Sequence, residues 1–208
     1  MKKLRIVGAV VAVLIANGPV AARERGMESL TALGDALRGA GAWRADYDQE
    51  YIAAGMSAGE VVAGVVTVAW PDRALFLTGD PVVQMMGLEG RFVRLVDLEV
   101  PSCDEHLLGD DEWARVPLAA VLDPSGATEH FAVLDHEPNG FALVPLEPGG
   151  VDRVEVTLGK SSLPLEVLII DPQGATNRLE FAMWTTTDPP DEGRWLPTAP
   201  DGVECVAD

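Results

Sequence analysis

The sequence predicts a mainly β protein of the α+β class, in which one helix precedes a meandering antiparallel sheet. Short runs of alternating apolar and polar residues recur along the chain, and tight turn signals separate them. The alternating runs are 43–51, 130–135, 141–144, 151–158, 165–170 and 179–184, and 60–70 is a further strand pattern that is apolar on nearly both faces. The turn signals are D-P-S-G at 123–126, E-P-N-G at 137–140, E-P-G-G at 147–150 and D-P-Q-G at 171–174.

Residues 27–39 predict the N-terminal helix, because Leu30, Leu33 and Leu37 fall on one helical face. In the middle of the chain, only 117–122 has a helical pattern. The segment from residue 185 is rich in proline, and we expect an ordered tail that ends in a short strand at 203–206. No repeat or linker indicates a second domain.

The composition excludes two classes of function. The 208 residues include 15 Lys and Arg against 33 Asp and Glu, which gives a formal net charge of −18. Such a charge repels phosphate backbones and anionic headgroups, so we expect neither nucleic-acid binding nor a basic membrane-binding surface. The hydrophobic fraction of 48% is too high for a disordered acidic chain. The composition therefore indicates an acidic, folded domain.

Residues 1–22 have the pattern of a secretory signal peptide. A short basic segment precedes an apolar run at 6–16, and V-A-A at 20–22 offers small residues for cleavage before Arg23. The apolar run is too short to span a bilayer, and no later stretch is long and apolar enough to do so. We therefore expect a mature domain of residues 23–208 that is exported and not stably inserted in a membrane.

The two cysteines, Cys103 and Cys205, have two interpretations. In an oxidising compartment they can form a disulfide that closes a loop of roughly 100 residues. Alternatively they are two unpaired thiols, because the sequence does not show whether their Cα atoms lie within bonding distance.

One motif suggests an alternative function as a secreted serine esterase. G-M-S-A-G at 55–59 fits the G-x-S-x-G nucleophile elbow, with Ser57 as nucleophile and His106, His130 or His136 as a base. That elbow requires a strand-to-helix turn, whereas the segment after Ser57 has the pattern of a strand. The sequence therefore favours a hairpin loop here, and a protein that is not an enzyme.

No cofactor or metal site is expected. Cys103-Asp-Glu-His106 and Asp110-Asp-Glu112 bring together a thiol, an imidazole and carboxylates, but their spacing fits neither a zinc site nor a calcium loop. An acidic, solvated loop is the better interpretation of this segment.

The first half of the sheet has more apolar side chains than a sheet with one polar face requires. They are Val62, Val66, Val68, Leu75, Phe76, Val83, Met85, Met86, Phe92, Val93 and Leu95. Adjacent methionines such as Met85 and Met86 often occur where a surface accepts variable apolar shapes. An ordinary core is the alternative.

Between residues 44 and 206 the chain resembles the LolA family of periplasmic lipoprotein carriers. Six short motifs occur in the order of that family. They are R-A-D-Y-D-Q at 44–49; G-V-V-T-V-A-W-P at 64–71; Phe76 with Pro81 and Gly90; Val116-Pro117; E-H-F at 129–131 with F-A-L-V-P at 141–145; and A-P-D-G-V at 199–203. Two positions differ: Trp70 replaces the family arginine that hydrogen-bonds the lid, and Glu89-Gly90 replaces Asp-Gly.

The resemblance implies an incomplete antiparallel β-barrel, with helices forming a lid over a hydrophobic cavity. It implies a carrier that binds the acyl chains of lipoproteins or lipids in the periplasm. Such a carrier receives them from an inner-membrane ABC releasing complex and passes them to an outer-membrane acceptor. Other members of the wider superfamily act as lipid-sensing regulators, which is a second alternative. Residues predicted for the cavity, lid or rim are Leu37, Trp70, Leu75, Phe76, Met85, Phe92, Leu118 and Val121.

Overall fold

The computed structural model describes residues 18–122 and 124–207. Its helices are α1 (Gly18–Arg38), α2 (Asp110–Ala114), α3 (Pro117–Leu122) and α4 (Pro124–His130). Its strands are β1 (Ala42–Ile52), β2 (Glu60–Ala69), β3 (Arg73–Thr78), β4 (Gln84–Glu89), β5 (Phe92–Asp97), β6 (Ser102–Leu107), β7 (Phe131–Asp135), β8 (Gly140–Pro145), β9 (Arg153–Leu158), β10 (Pro164–Ile170), β11 (Thr176–Phe181), β12 (Thr185–Thr187) and β13 (Val206–Ala207).

All thirteen strands belong to one open sheet with the order β13-β6-β5-β4-β3-β2-β1-β11-β10-β9-β8-β7, and β12 pairs with β1. Every pair is antiparallel except β13 with β6, which is parallel. The end strands β13 and β7 do not pair with each other, so the sheet forms a half-barrel. The predicted fold class, an incomplete antiparallel β-barrel with an N-terminal helix, is confirmed.

Helix α1 packs on one face of the sheet, which we call the inner face. Leu30, Leu33 and Leu37 form a buried core with apolar side chains of β7, β8 and β9, including Phe131, Phe141 and Val156. The helix lies so close to β7 that a Cβ atom on Gly26 would come within 2.5 Å of the carbonyl group of Leu134. The indole Nε1 of Trp43 in β1 donates a hydrogen bond to the carbonyl oxygen of Ala36, which joins α1 to the middle of the sheet.

The C-terminal segment crosses the opposite, outer face of β1–β6. Trp195 is fully buried against Ala42, Ala69 and Leu75. The carbonyl of Trp195 and the ring of Pro197 occupy the space where a Cβ atom on Gly87 would stand. Burial of a tryptophan removes about 150–250 Å² of surface from water, so this side chain is a strong anchor for the segment.

A disulfide joins the end of this segment to the sheet. Cys103 in β6 is bonded to Cys205, with Cα atoms 4.5 Å apart and a sequence separation of 102. Of the two interpretations of the cysteines, the structure therefore contains the paired one, directly before β13 pairs with β6.

Several element boundaries differ from the sequence prediction. Helix α1 begins at Gly18 rather than at residue 27, and residues 1–17 of the predicted signal peptide lie outside the described residues. The predicted D-P-S-G turn lies at the start of α4, where Pro124 occupies the first helical turn, a position that tolerates proline. The predicted C-terminal strand is shorter and lies at Val206–Ala207. Among the described helices, none is long and apolar enough to span a bilayer.

We predict that replacing both cysteines by alanine lowers the free energy of unfolding by about 2–5 kcal/mol, because the long loop is then open in the unfolded chain. Urea unfolding of the oxidised protein and of the double variant measures the difference. Dithiothreitol should destabilise the wild type and leave the variant unchanged. Equal midpoints for the two proteins under oxidising conditions would contradict the prediction.

Candidate functional site

The inner face of β1–β5 has two parallel rows of apolar side chains, which together we call the groove. Directly opposite residues in antiparallel strands point to the same face, so the strand register identifies each row. One row consists of Leu95, Met86, Phe76, Val66 and Ala45. The next row consists of Val93, Leu88, Ala74, Val68 and Trp43. Five strands spaced about 4.8 Å apart make each row about 19 Å long.

A chain of aromatic rings extends the groove towards β11. The ring of Tyr47 lies edge-on to Phe76 at 5.9 Å and 6.3 Å from the ring of Phe181. Phe181 in turn lies 5.3 Å from Trp184. The four rings form one apolar wall across β3, β1 and the end of β11.

The groove is open where the rest of the inner face is covered. Helix α1 packs closely on β7 and β8, and none of the described helices approaches β3–β6 in the same way. The cluster that contains Tyr47, Val66 and Phe76 includes no helical side chain. Met86 is 38% exposed, and Phe76, Val93 and Leu95 are partly buried. Four apolar side chains of β3–β5 are therefore accessible on the inner face, whereas Ala74 and Leu88 in the same rows are buried.

A third row, in which most side chains carry a polar group, bounds one side of the groove. It consists of Asp97, Gln84, Thr78, Gly64 and Tyr47. The hydroxyl of Tyr47 is hydrogen-bonded to Thr78 Oγ1 at 2.7 Å. Burial raises the pKa of Tyr47 above its ordinary value, and the hydrogen bond to Thr78 partly opposes this effect. The end of the Tyr47 side chain lies against Gly64, where a Cβ atom has no room.

The other side of the groove leads into a cleft of about 430 Å³. Its lining residues are Arg38, Trp70, Pro71, Asp72, Gly90, Arg91, Trp113 and Ala119. The guanidinium of Arg38, at the end of α1, lies 5.6 Å from the centre of the Trp70 ring, which is a cation–π distance. The cation therefore lies at the end of α1 and the aromatic ring in the turn that follows β2.

The structure places the predicted cavity residues in three different environments. Phe76 lies in the groove and Trp70 on the cleft. Leu37 is buried in the core beneath α1, and Leu118 and Val121 pack against that core, so these three side chains fill space between helix and sheet. Leu75, Met85 and Phe92 lie on the outer face. Each is next to a groove residue in its own strand, and successive side chains of a strand point to opposite faces. Of the alternatives Leu75 and Phe76, it is Phe76 that lies in the groove, and the predicted set is divided between both faces of the sheet and the core.

The sequence prediction missed Met86 and Leu95 as groove residues, although both belong to the apolar excess noted above. Alternation requires that only one of Met85 and Met86 faces inward. The buried side of β1, with Trp43, Ala45 and Tyr47, indicates which one once the strand pairing is known.

The esterase motif does not form a nucleophile elbow. Ser57 lies in the exposed loop between the antiparallel strands β1 and β2, whereas the elbow requires a turn from a strand into a helix. The three histidines lie elsewhere: His106 in β6, His130 at the end of α4 and His136 directly after β7. Within residues 18–122 and 124–207, no group of His, Cys, Asp and Glu side chains is arranged to hold a metal ion.

We predict that Gly64→Ala lowers the free energy of unfolding by about 1–3 kcal/mol through overpacking. The new Cβ atom would lie 2.6 Å from the Tyr47 hydroxyl and 2.6 Å from the carbonyl oxygen of Leu77. Gly149→Ala is the matched control, because a Cβ atom there meets nothing within 4 Å. Urea unfolding should show a shift for the first variant only, and equal midpoints would contradict the prediction.

We also predict a loss of stability above about pH 10 that depends on Tyr47. Because the pKa of Tyr47 is raised in the folded state, the unfolded chain loses this proton first as the pH rises, which favours unfolding. The contribution of Tyr47 to the free energy of unfolding is fully present below the ordinary tyrosine pKa and is lost as the pH rises through the folded-state pKa. The free energy of unfolding, measured between pH 8 and 11, should fall more steeply with pH for the wild type than for Tyr47→Phe. The same pH dependence in both proteins would contradict this prediction.

No family model and no curated protein sequence matches the chain. It is similar to the solved MucA/MucB complex of Pseudomonas aeruginosa, with 16% identity over 83% of this chain and a TM-score of 0.48; the chain spans 61% of that structure's chain. It is similar to a LolA superfamily protein of Nitrosomonas europaea, with 10% identity, a TM-score of 0.45 and coverage of 81% and 96% of the two chains. It is also similar to an uncharacterized conserved protein of Thermus thermophilus, with 13% identity, a TM-score of 0.49 and coverage of 87% of this chain and 98% of that chain. The described part of the chain forms an open half-barrel with helix α1 packed on its inner face.

Proposed function

We propose that the protein is a carrier that binds the acyl chains of lipids or lipoproteins in the groove. The observation that supports this most directly is the accessible apolar surface on the inner face of β3–β5, where Met86 is 38% exposed and Phe76, Val93 and Leu95 are partly exposed. Exposed apolar surface of this extent is uncommon on a protein that acts alone and is typical of a binding site.

The groove fits an acyl chain rather than a compact ligand. It is long, lined by aliphatic and aromatic side chains, and bounded by polar groups at Thr78 and Gln84 on one side. Each methylene group moved from water into such a site gains about 0.8 kcal/mol, so a chain of sixteen carbons gains about 12 kcal/mol. A bilayer offers nearly the same gain. Transfer between membrane and carrier is therefore close to balanced, and partners can determine its direction.

This proposal differs in one respect from the lid implied by the family resemblance. Leu30, Leu33 and Leu37 occupy the inner face over β7–β9, and the groove lies beside them on β1–β5. An acyl chain can thus bind without displacing α1 from its core. The Met86 side chain, being flexible and polarisable, can adapt to chains of different shape.

We place the carrier in the periplasm on the basis of its predicted signal peptide and its disulfide. There it would receive lipoproteins from an inner-membrane ABC complex and pass them to an outer-membrane acceptor. The net charge of −18 favours docking on basic protein surfaces and disfavours adsorption to anionic headgroups. Carrying cargo breaks no covalent bond, so this role needs no catalytic residue.

We predict that Met86→Glu weakens binding of a neutral acyl probe at least tenfold, which corresponds to about 1.4 kcal/mol, because the carboxylate loses hydration in an apolar site. Met85→Glu is the matched control, since this neighbouring methionine lies on the outer face and should leave the affinity within twofold. The methyl ester of dansylaminoundecanoic acid is the probe, and its fluorescence increases on transfer from water to an apolar site.

Thermal unfolding of both variants shows whether either charge disturbs the fold. Failure of the wild-type protein to bind the ester would contradict the proposed function. Equal weakening in both folded variants would place the binding site elsewhere.

A further inference from the structure

The two ends of the groove differ in how deeply their side chains are buried. Both rows of the groove run across the strands, because each row joins directly opposite residues of neighbouring strands. Along the first row, Met86 is exposed, Leu95 and Phe76 are partly buried, and Val66 and Ala45 are buried. The accessible part of the groove therefore lies on β3–β5, and its long axis leads from a covered end at β1 to an open end beyond β5.

Protein side chains fill the end of the groove at β1. Ala45 and Val66 form a buried cluster with Tyr47 and Leu179, and Phe76 of β3 packs against this cluster. The Tyr47 ring lies edge-on to the Phe76 ring at 5.9 Å. An acyl chain that lies along the groove therefore meets a wall of apolar side chains beyond β3.

At the opposite end, the two apolar rows continue into polar side chains on β6. Asp104 lies directly opposite Leu95, and His106 lies directly opposite Val93. Because directly opposite residues point to the same face, Asp104 and His106 extend the two rows on the inner face by one strand. Asp104 is exposed, and the side chain of His106 is 43% exposed. The polar end of a ligand can therefore remain in contact with water here.

Acidic groups predominate at this end of the groove. His106 Nε2 lies 3.7 Å from Glu112 Oε2 of α2. Arg91, in the turn before β5, pairs with Asp110. Asp104, Asp110 and Glu112 thus set three carboxylates against the guanidinium group of Arg91. At physiological salt, charges are screened beyond about 8 Å but much less at contact, so these carboxylates repel an anion bound beside them.

We infer that the groove binds an amphiphile in one direction and selects its headgroup. The end of the acyl chain lies against Phe76 and Tyr47, and the polar end lies at β6 beside Asp104 and His106. The reverse direction would place the polar end against the aromatic rings, where it loses its hydration. The headgroup is uncharged or cationic, because the carboxylates at β6 repel a carboxylate or a phosphate. This inference rests on the proposed acyl-binding function and adds the orientation of the ligand and the class of headgroup.

The headgroup is tested with three probes that share the dansylaminoundecyl chain. They are the methyl ester of dansylaminoundecanoic acid, the free carboxylate, and the amine N-dansyl-1,11-diaminoundecane, which is a cation at pH 7.5. We expect the wild type to bind the amine at least tenfold more tightly than the carboxylate. Asp104→Asn/Glu112→Gln should raise the affinity for the carboxylate at least threefold, lower that for the amine at least threefold, and leave that for the ester within twofold.

The matched control is Asp48→Asn/Glu180→Gln. These two exposed residues lie opposite each other on the outer face of β1 and β11, and the control removes the same charge. All three affinities should stay within twofold of the wild type. The headgroup selection is overturned if the wild type binds the amine and the carboxylate equally, or if the control shifts the affinities as much as the β6 variant does. Thermal unfolding confirms that both variants are folded.

The direction is tested with two photoreactive methyl dodecanoates, which carry a diazirine on carbon 11 or on carbon 3. Mass mapping should find the carbon-11 label on β3 and β1 and the carbon-3 label on β5 and β6. The reverse distribution, or the same distribution for both reagents, overturns the direction. If the wild type binds the ester but shows neither selectivity nor direction, the acyl-binding function stands and this inference fails. If the wild type does not bind the ester, the acyl-binding function itself fails.

Discussion

The pairing of β1 on both of its sides is the constraint on which the rest of the structure depends. Strands β2–β6 and β7–β11 form the two halves of the described sheet, and they join where β1 lies between β2 and β11. Trp43, Ala45 and Tyr47 face inward in this register. A slip of one residue would bring Arg44, Asp46 and Asp48 to the inner face, so both the core and the groove require this one register.

The inner face of this sheet is divided between a packed core and an accessible groove. On β7–β9 it is filled by the leucines of α1, and on β3–β5 it is left accessible with Phe76, Met86 and Leu95. The four aromatic rings from Phe76 to Trp184 lie between the two regions and belong to both. A protein that left its whole inner face open would lack a core, and one that covered it completely would have no groove.

The sequence predicts the secondary-structure elements better than it predicts which face of the sheet each side chain occupies. The inward side of β1, the helix at 117–122 and the antiparallel sheet follow from local periodicity and turn residues. The short helices α2 and α4 do not, because five to seven residues give too little periodicity and a proline and a glycine in α4 resemble a turn. Whether Met85 or Met86 faces inward depends on the pairing of β3, β4 and β5, which alternation within a single strand does not reveal. The cleft arises from α1, α2, α3 and two separate turns, and none of these segments alone predicts it.

The strands that carry the groove are stabilised mainly from outside. On their outer face Trp195 is buried against Ala42, Ala69 and Leu75, and Arg94 Nη1 donates a hydrogen bond to the carbonyl oxygen of Pro197. The disulfide then fixes the end of this segment to β6. An exposed apolar face weakens a sheet because its side chains gain no burial on folding. The C-terminal segment supplies burial and a covalent link on the other face of the same strands, and this support allows apolar side chains on their inner face to remain accessible.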